Sequence, residues 1–452
     1  MVAVNSSNWM SGVIAATSLH QMSIPGSHES CALYGAASKC QNFSILRQLV
    51  RGIRFLDVRC KYVSDNDPTL FFPIHHGPDY QGTNFLTVQK ECIEFLTSHP
   101  DGTILMNVQQ AVSDEDSATF SAKFNELHDA AYWSLPTAFP ALGDHRKRIV
   151  LIRPCRRNFT TPARDVINGW DWPGYGLEWN GFAVSGISWN YFFETQNYWH
   201  GEGGSADGEG GMGDGPGGVG GVNGTFKGQK VEEYLDLAVG PRIPTKMFLN
   251  FLSRADTAIG DAASDINQRI CSYIKTKVPL PGPRRLGVLA LTFVGNTGEG
   301  QGCLEDAIVE QNAFNADTSY AYSSAIRAPQ RFKIQVSVAG QAKGWLVEGD
   351  AGWVVLGGPG GPGVVSADTV LVFERSTSSG VDYFTVKNDG RCLSIRSSDG
   401  QVGLYNAKEN AFQKESKWLF SEENGAPMRL RQDGTLCCGN EGDLLEVAFV
   451  PA

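Results

Sequence analysis

The stretch "GIRFLDVRC", residues 52–60, decides how the first 320 residues are read. It is short and apolar and is opened by a glycine, the signature of a strand bounded by a turn. Side chains alternate along a strand, so Phe55, Asp57 and Arg59 share one face while Leu56 and Val58 share the other. In a barrel, Leu56 and Val58 meet the outer helices, and Asp57 and Arg59 point inward, toward the end where active sites form. Two opposite charges buried together cost desolvation unless they are paired or used. Taken alone, the pair reads equally well as a structural ion pair.

The neighbouring sequence repeats the pattern. "GTILMNVQQ" (102–110), "RIVLIRP" (148–154), "KMFLNFLS" (246–253) and "LGVLALTFV" (286–294) are further strand-like runs. Between them lie helix candidates: "FLTVQKECIEFLTSH", "DSATFSAKFNELHDAA", "VEEYLDLAV" and "ASDINQRICSYIKTK". In the first of these, Val88, Cys92, Phe95 and Leu96 recur at helical spacing and form one apolar face. Alternation of strands and helices over some 300 residues predicts an α/β fold, an irregular TIM-type (β/α) barrel. Residues 201–224 are so rich in glycine that no packed element is expected there; the run reads as an unstructured insertion, with a mobile lid as the alternative.

After about residue 328 the texture changes to strand and turn. "KGWLVEGD", "DGRCLSIRSSDGQVGLYNA" and "DGTLCCGNEGD" resemble one another, with Gly344, Gly390 and Gly434 at similar spacing. Imperfect repeats of this size predict a small all-β, β-trefoil-like domain over 329–452, following a barrel over 1–328.

Composition bounds the function. The 452 residues carry 42% hydrophobic and 19% charged residues and a formal net charge of -10. That balance argues against a nucleic-acid partner and confines any membrane-surface contact to a local, transient one. The N-terminal stretch lacks a basic region followed by a long apolar core, and no run approaches the length of a membrane span, which slightly favours a cytoplasmic address. Ten cysteines without metal-ligand spacing give no zinc signature and read as free buried thiols.

Two histidine motifs supply candidate chemistry. "MSIPGSHESCALYG" (22–35) places His28 and Glu29 just after a Pro-Gly turn, and "LFFPIHHGPDY" (70–80) places His75 and His76 before a Gly-Pro turn. If a strand runs through Phe72 and Ile74, His76 shares their face and His75 takes the other. His28, His76, Asp57, Arg59 and Glu29 then form a kit for acid–base chemistry on a phosphate. One imidazole removes a proton, the other returns one, and a guanidinium holds the anionic oxygens.

"SIPGSHES", "QLVRGIRFLDVR", "IHHGP" and "FLTSHPDGTILMNVQQ" together resemble the catalytic X domain of phosphatidylinositol-specific phospholipase C, in its bacterial form. "KMFLNFLS", "LGVLALTFV" and "CLEDAIVEQNAF" extend the resemblance to about residue 320. It implies His28 as general base on the inositol 2-hydroxyl, which attacks phosphorus to give a cyclic phosphodiester. It implies His76 as the acid that protonates the departing glycerol oxygen, and then as the base that activates water. Arg59 would stabilise the phosphate charge, and Asp57 would orient Arg59 or support His76. Asn107, Gln109, Arg153, Asn197, Tyr198 and Asn250 are the candidate substrate-binding residues. Arg59 stands where calcium-dependent relatives carry an acidic metal ligand, so neither metal nor cofactor is expected.

Three departures accompany the resemblance. The bacterial His-Asp reads His28-Glu29 here, an aspartate expected on the last strand reads Thr292, and the family's Gln-Asp before an aromatic reads Gln196-Asn197-Tyr198; the basic residue expected after "ILMNV" also reads Gln109-Gln110. Glu29 is therefore expected to supply the negative charge missing at Thr292, orienting His28 and raising its pKa. The tail resembles ricin-type lectin modules, which implies a glycan partner, yet Ser394 and Ser416 stand where those modules bind sugar through Asp and Gln. The expected function is a phosphodiesterase acting on a phosphoinositide or related phosphodiester. The alternatives are a barrel redirected to another phosphodiester or a non-lipid substrate, and a weakly catalytic glycan- or lipid-binding protein.

Overall fold

The strand that carries Asp57 lies inside a parallel sheet whose order follows the chain. In the computed structural model its members are β1 (Ser23–Ser27), β2 (Phe55–Cys60), β3 (Thr103–Gln110), β4 (Arg148–Pro154), β5 (Leu177–Trp179), β6 (Phe193–Asn197), β7 (Met247–Phe251) and β8 (Gly287–Leu291). The described residues are 2–36, 38–63, 72–111, 117–154, 176–179, 186–189, 191–198, 224–240, 245–253, 259–277, 284–295, 304–320, 328–349, 352–357, 370–378, 381–387, 391–406 and 410–452. Pairing runs β6–β7–β8–β1–β2–β3–β4–β5, parallel at every step. Among the described residues no ladder joins β5 to β6, so the TIM-type barrel is irregular. Because all eight strands run the same way, their C-terminal ends gather at one mouth.

The helices are α1 (Ile45–Val50), α2 (Phe85–Ser98), α3 (Ser117–Leu127), α4 (Gly224–Val239), α5 (Ile259–Lys277) and α6 (Leu304–Val309). In α2 the Asn84 side chain accepts the Thr87 amide at 3.0 Å, capping an otherwise orphaned donor. Val88, Cys92, Phe95 and Leu96 are buried on its inner face, as their spacing predicts. The glycine-rich run lies outside the described residues except for Gly224, which opens α4.

Strand alternation sorts the barrel. Phe55, Leu105, Val150, Ile152, Leu249, Phe251, Val288 and Ala290 pack into one interior cluster with Trp179 and Phe193. Their neighbours one step along the chain face the helices; Phe248, for example, packs on Tyr234 and Ala238 of α4. Burying each large apolar side chain contributes about 1.5–3 kcal/mol, which both faces of a parallel strand need if the sheet is to be covered twice.

The chain divides into two compact units, Met1–Tyr322 and Ser323–Ala452. The second is all β, a ten-stranded sheet and a three-stranded sheet around a core that includes Phe332, Phe373, Phe384 and Phe412. Eight cysteines among the described residues are buried free thiols, five in the first unit and three in the second. Burial pushes most of them up, Cys31, Cys60, Cys92 and Cys438 among them, because a thiolate is poorly solvated there. No helix among the described residues is long and apolar enough to cross a membrane.

Candidate active site

His28 is the first residue after β1. Its amide donates to the Leu291 carbonyl at the end of β8 (2.8 Å), and its own carbonyl accepts the Gln41 side chain (2.8 Å). The imidazole stands edge-on to Phe251, with ring centroids 5.9 Å apart, and its Nε2 lies 3.2 Å from Arg59 Nη2. Two strand ends and a strand neighbour thus fix one ring.

Glu29 takes a left-handed backbone, φ 45°, which costs a non-glycine residue about 1–3 kcal/mol. The turn is held by Asp57, whose Oδ2 accepts the Glu29 amide (3.2 Å) and whose carbonyl accepts the Ser30 amide (2.9 Å). Ser30 Oγ in return accepts the Asp57 amide at 2.8 Å. This geometry carries the Glu29 carboxylate to Arg59, with which it is ion-paired, and to within 3.7 Å of His76 Nε2.

Asp57 is buried on the inner face of β2. Its Oδ1 accepts Asn107 Nδ2 (2.9 Å) and Gln109 Nε2 (2.8 Å) from β3, and its Oδ2 lies 3.4 Å from Arg59 Nη2. Parallel pairing sets Asp57 beside Asn107 and Arg59 beside Gln109, which makes those contacts a matter of register. Trp179 Nε1 completes the network by donating to Asn107 Oδ1 (2.8 Å).

His76 arrives from a different kind of element. Pro73–His76 and Asp79–Asn84 form an antiparallel hairpin appended to β2 through Cys60 and Ile74. The sequence pattern places this histidine at the end of an early barrel strand; the hairpin instead folds it back over the mouth. Its Nδ1 meets the Ser38 carbonyl at 2.6 Å, which leaves Nε2 toward Glu29. His75 takes the opposite face, beside Tyr80.

The expectation that Glu29 raises the pKa of His28 is not met. Burial first, and then the positive charges of Arg59, His76 and Lys227, hold the imidazole well below its ordinary value. The carboxylate that was to offset them is spent on Arg59 and His76.

The candidate substrate-binding residues divide. Asn197 follows Phe193 and Thr195 on the inner face of β6 and is buried, with no hydrogen-bond partner for Nδ2 among the described residues. Thr292 Oγ1 and Gln109 Oε1 are buried in the same condition. Asn250 departs from expectation: it alternates with interior Leu249 and Phe251, so its amide turns to α4, accepting Gln196 Nε2 (2.6 Å) and donating to the Val231 carbonyl (3.3 Å). Arg153 likewise alternates with interior Ile152 and is ion-paired with Glu178, its register partner on β5. Tyr198 is half-buried and edge-on to Phe226 of α4. Sequence reading missed Lys227 of α4, which is fully buried and donates to Gln196 Oε1 at 3.0 Å.

Residues 17–154 match the family model described as phosphatidylinositol-specific phospholipase C, X domain. The chain is 25% identical over 331 residues to a 1-phosphatidylinositol phosphodiesterase of Staphylococcus aureus (strain Newman), covering 68% of this chain and 94% of the relative. It is 29% identical over 164 residues to a protein of the same name from Listeria monocytogenes serovar 1/2a, covering 33% and 49%. Among solved structures, a mutant of the phosphatidylinositol-specific phospholipase C of S. aureus aligns with a TM-score of 0.52 at 22% identity, covering 68% of this chain and 98% of that one. A second S. aureus structure, from work on modulating that enzyme's membrane binding, gives 0.53 at 22%, with the same coverage. These structures establish the fold. Over residues 17–154 of its irregular barrel, the chain is similar to the phosphatidylinositol-specific phospholipase C X-domain family.

Proposed function

We propose that the protein is a phosphodiesterase of the phosphatidylinositol phospholipase C type, cleaving by intramolecular attack. The observation that carries the reading is the continuous set His28–Arg59–Glu29–His76 at the barrel mouth. His28 Nε2 accepts the proton of a headgroup hydroxyl as its oxygen bonds to phosphorus. Arg59, beside that nitrogen, balances the charge on the phosphate oxygens. His76 delivers a proton to the departing oxygen, and the product is a cyclic phosphodiester. In the second step His76 takes a proton from water, the water oxygen opens the ring, and His28 returns its proton to the ring oxygen. Asn197, Thr292 and Gln109 offer neutral buried polar atoms to the hydroxyls of the headgroup.

The Arg59 guanidinium meets both Glu29 and Asp57, so the chain itself supplies the positive charge, and the reaction is read as metal-independent. Tyr80 of the His76 hairpin and Tyr34, which packs on Gly82 of the same hairpin, are 48% and 54% exposed. Ring-and-hydroxyl side chains of this kind suit transient contact with a lipid surface. A barrel redirected to another phosphodiester is favoured by one feature, the glutamines at 109 and 110. The second unit is read as a β-trefoil-type module with a structural role, since Ser394 is buried and its hydroxyl donates to Asn410.

A phosphorus NMR time course on phosphatidylinositol vesicles and on glycerophosphoinositol tests the function. A five-membered cyclic phosphate signal is the expected product. Release of an acyclic phosphomonoester with no cyclic intermediate would overturn intramolecular attack, and cleavage of neither substrate would favour the redirected barrel.

A further inference from the structure

Lys227 is the one lysine among the described residues that is fully buried. Its described hydrogen bond goes to a neutral acceptor, Gln196 Oε1, at 3.0 Å. A buried ammonium is costly to desolvate, and a neutral amide or thioether would fill the same space at less cost. The charge therefore calls for an explanation beyond packing.

Gln196 distributes that contact. Its Oε1 also accepts the Tyr198 amide (2.7 Å), while its Nε2 donates to Asn250 Oδ1 (2.6 Å) and to the Phe251 carbonyl (3.0 Å). Asn250 closes a circuit back to α4 through the Val231 carbonyl. The ends of β6 and β7 are thereby tied to the first turns of α4. One end continues into Asn197, and the other presents the Phe251 ring to the edge of His28.

We propose that Lys227 is a positioning residue for the reaction at the barrel mouth: its buried ammonium clamps, through Gln196, the strand end that packs Phe251 against His28. The inference rests on the proposed role of His28 as base. The positive groups whose field reaches His28 are Arg59 of β2, His76 of the hairpin and Lys227 of α4, with the carboxylates of Glu29 and Asp57 drawn to Arg59. Lys227 touches neither carboxylate in the described contacts; burial holds its own pKa well below the ordinary lysine value, and its charge adds to those of Arg59 and His76 against protonation of His28.

The test uses the full chain with Lys227→Met, Lys227→Gln and Lys227→Arg. Gln keeps a donor for Gln196 without the charge, Arg keeps the charge, and Met keeps neither. Two readouts are taken: the titration of the His28 imidazole by NMR, which needs no activity, and the pH profile of kcat/KM on phosphatidylinositol. The expected result is a His28 titration displaced to higher pH in Met and Gln but not in Arg. The acid limb of kcat/KM should move with it, giving about a ten-fold loss on that side of the profile for each pH unit of displacement. Unmoved imidazole titrations in folded Met and Gln variants would overturn the proposal, as would an Arg variant displaced as far as Met. A wild type that hydrolyses no phosphatidylinositol would count against the proposed function alone, since the NMR readout still decides on Lys227. If Met fails to melt cooperatively, Gln carries the comparison.

Discussion

Glu29 is ion-paired with Arg59, and the same carboxylate stands 3.7 Å from His76, so one acidic residue joins the guanidinium to the second histidine. Glu29→Gln should lower turnover by about 10²–10⁴ while the protein stays folded. Thr292→Asp should not restore it. Position 292 adjoins the His28 end of the mouth, where the His28 amide meets the Leu291 carbonyl, whereas the lost charge served Arg59 and His76. Steady-state kinetics and melting temperatures on the four-member cycle check this, and substantial recovery in the double mutant would reassign Glu29 to His28.

His28→Ala, His76→Ala and Arg59→Ala should each cost several orders of magnitude in turnover without unfolding the chain. Combined in pairs, they should cost little more than the worst single change if, as proposed, the three act on one transition state. Additive losses would mean that the residues work independently. Turnover should also persist in EDTA, measured on the same substrate.

The low-lying His28 imidazole sets a pH dependence whose sign is fixed. Below the ordinary value of 6.5 the unfolded chain takes up a proton that folded His28 resists, so stability from this group is full above 6.5 and is lost as pH falls toward the folded pKa. Melting temperature should therefore fall more gently with acid in His28→Gln than in wild type. The acid limb of kcat/KM in the wild type should lie below 6.5.

Asp57 accepts hydrogen bonds from Asn107 and Gln109 and faces Arg59 as well. Asp57→Asn presents an amide to two donors and leaves Arg59 short of a counter-charge. A loss of about 3–5 kcal/mol is expected in denaturant unfolding, the usual cost of breaking a buried pair from one side.

Asn197 and Asn250 should separate cleanly. Asn197→Ala removes a buried amide nitrogen with no described partner, so KM should rise several-fold with little change in stability. Asn250→Ala breaks the link between β7, Gln196 and α4, so about 1–3 kcal/mol of stability should be lost. A rise in KM for Asn250→Ala at unchanged stability would put that residue back at the mouth.

Much of this site was legible because strand alternation is a strong local rule. It placed Asp57 and Arg59 inward, and parallel register then brought in Asn107 and Gln109. The same rule explains two misplacements. "MFLNF" and "RIVLIRP" are apolar on both faces, so nothing local says which set faces inward, and Asn250 and Arg153 fall on the helix side. The direction of the Glu29 carboxylate depends on one left-handed backbone angle, which residue type alone does not reveal. Lys227 meets a partner 31 positions earlier, on the far side of the glycine-rich run, and a lysine in an otherwise amphipathic helix ordinarily reads as solvated.

The buried thiols provide a built-in clock for unfolding. Cys31, Cys40, Cys60, Cys92 and Cys271 lie in the first unit, and Cys392, Cys437 and Cys438 in the second. An alkylating reagent needs both access and a thiolate, and the fold denies access to all eight. Labelling in mild denaturant, followed by peptide mass spectrometry, therefore stamps each unit at the moment it opens. Matching time courses for the two groups of cysteines would mean that barrel and tail open as one cooperative block, and diverging ones would rank their lifetimes without any engineered probe.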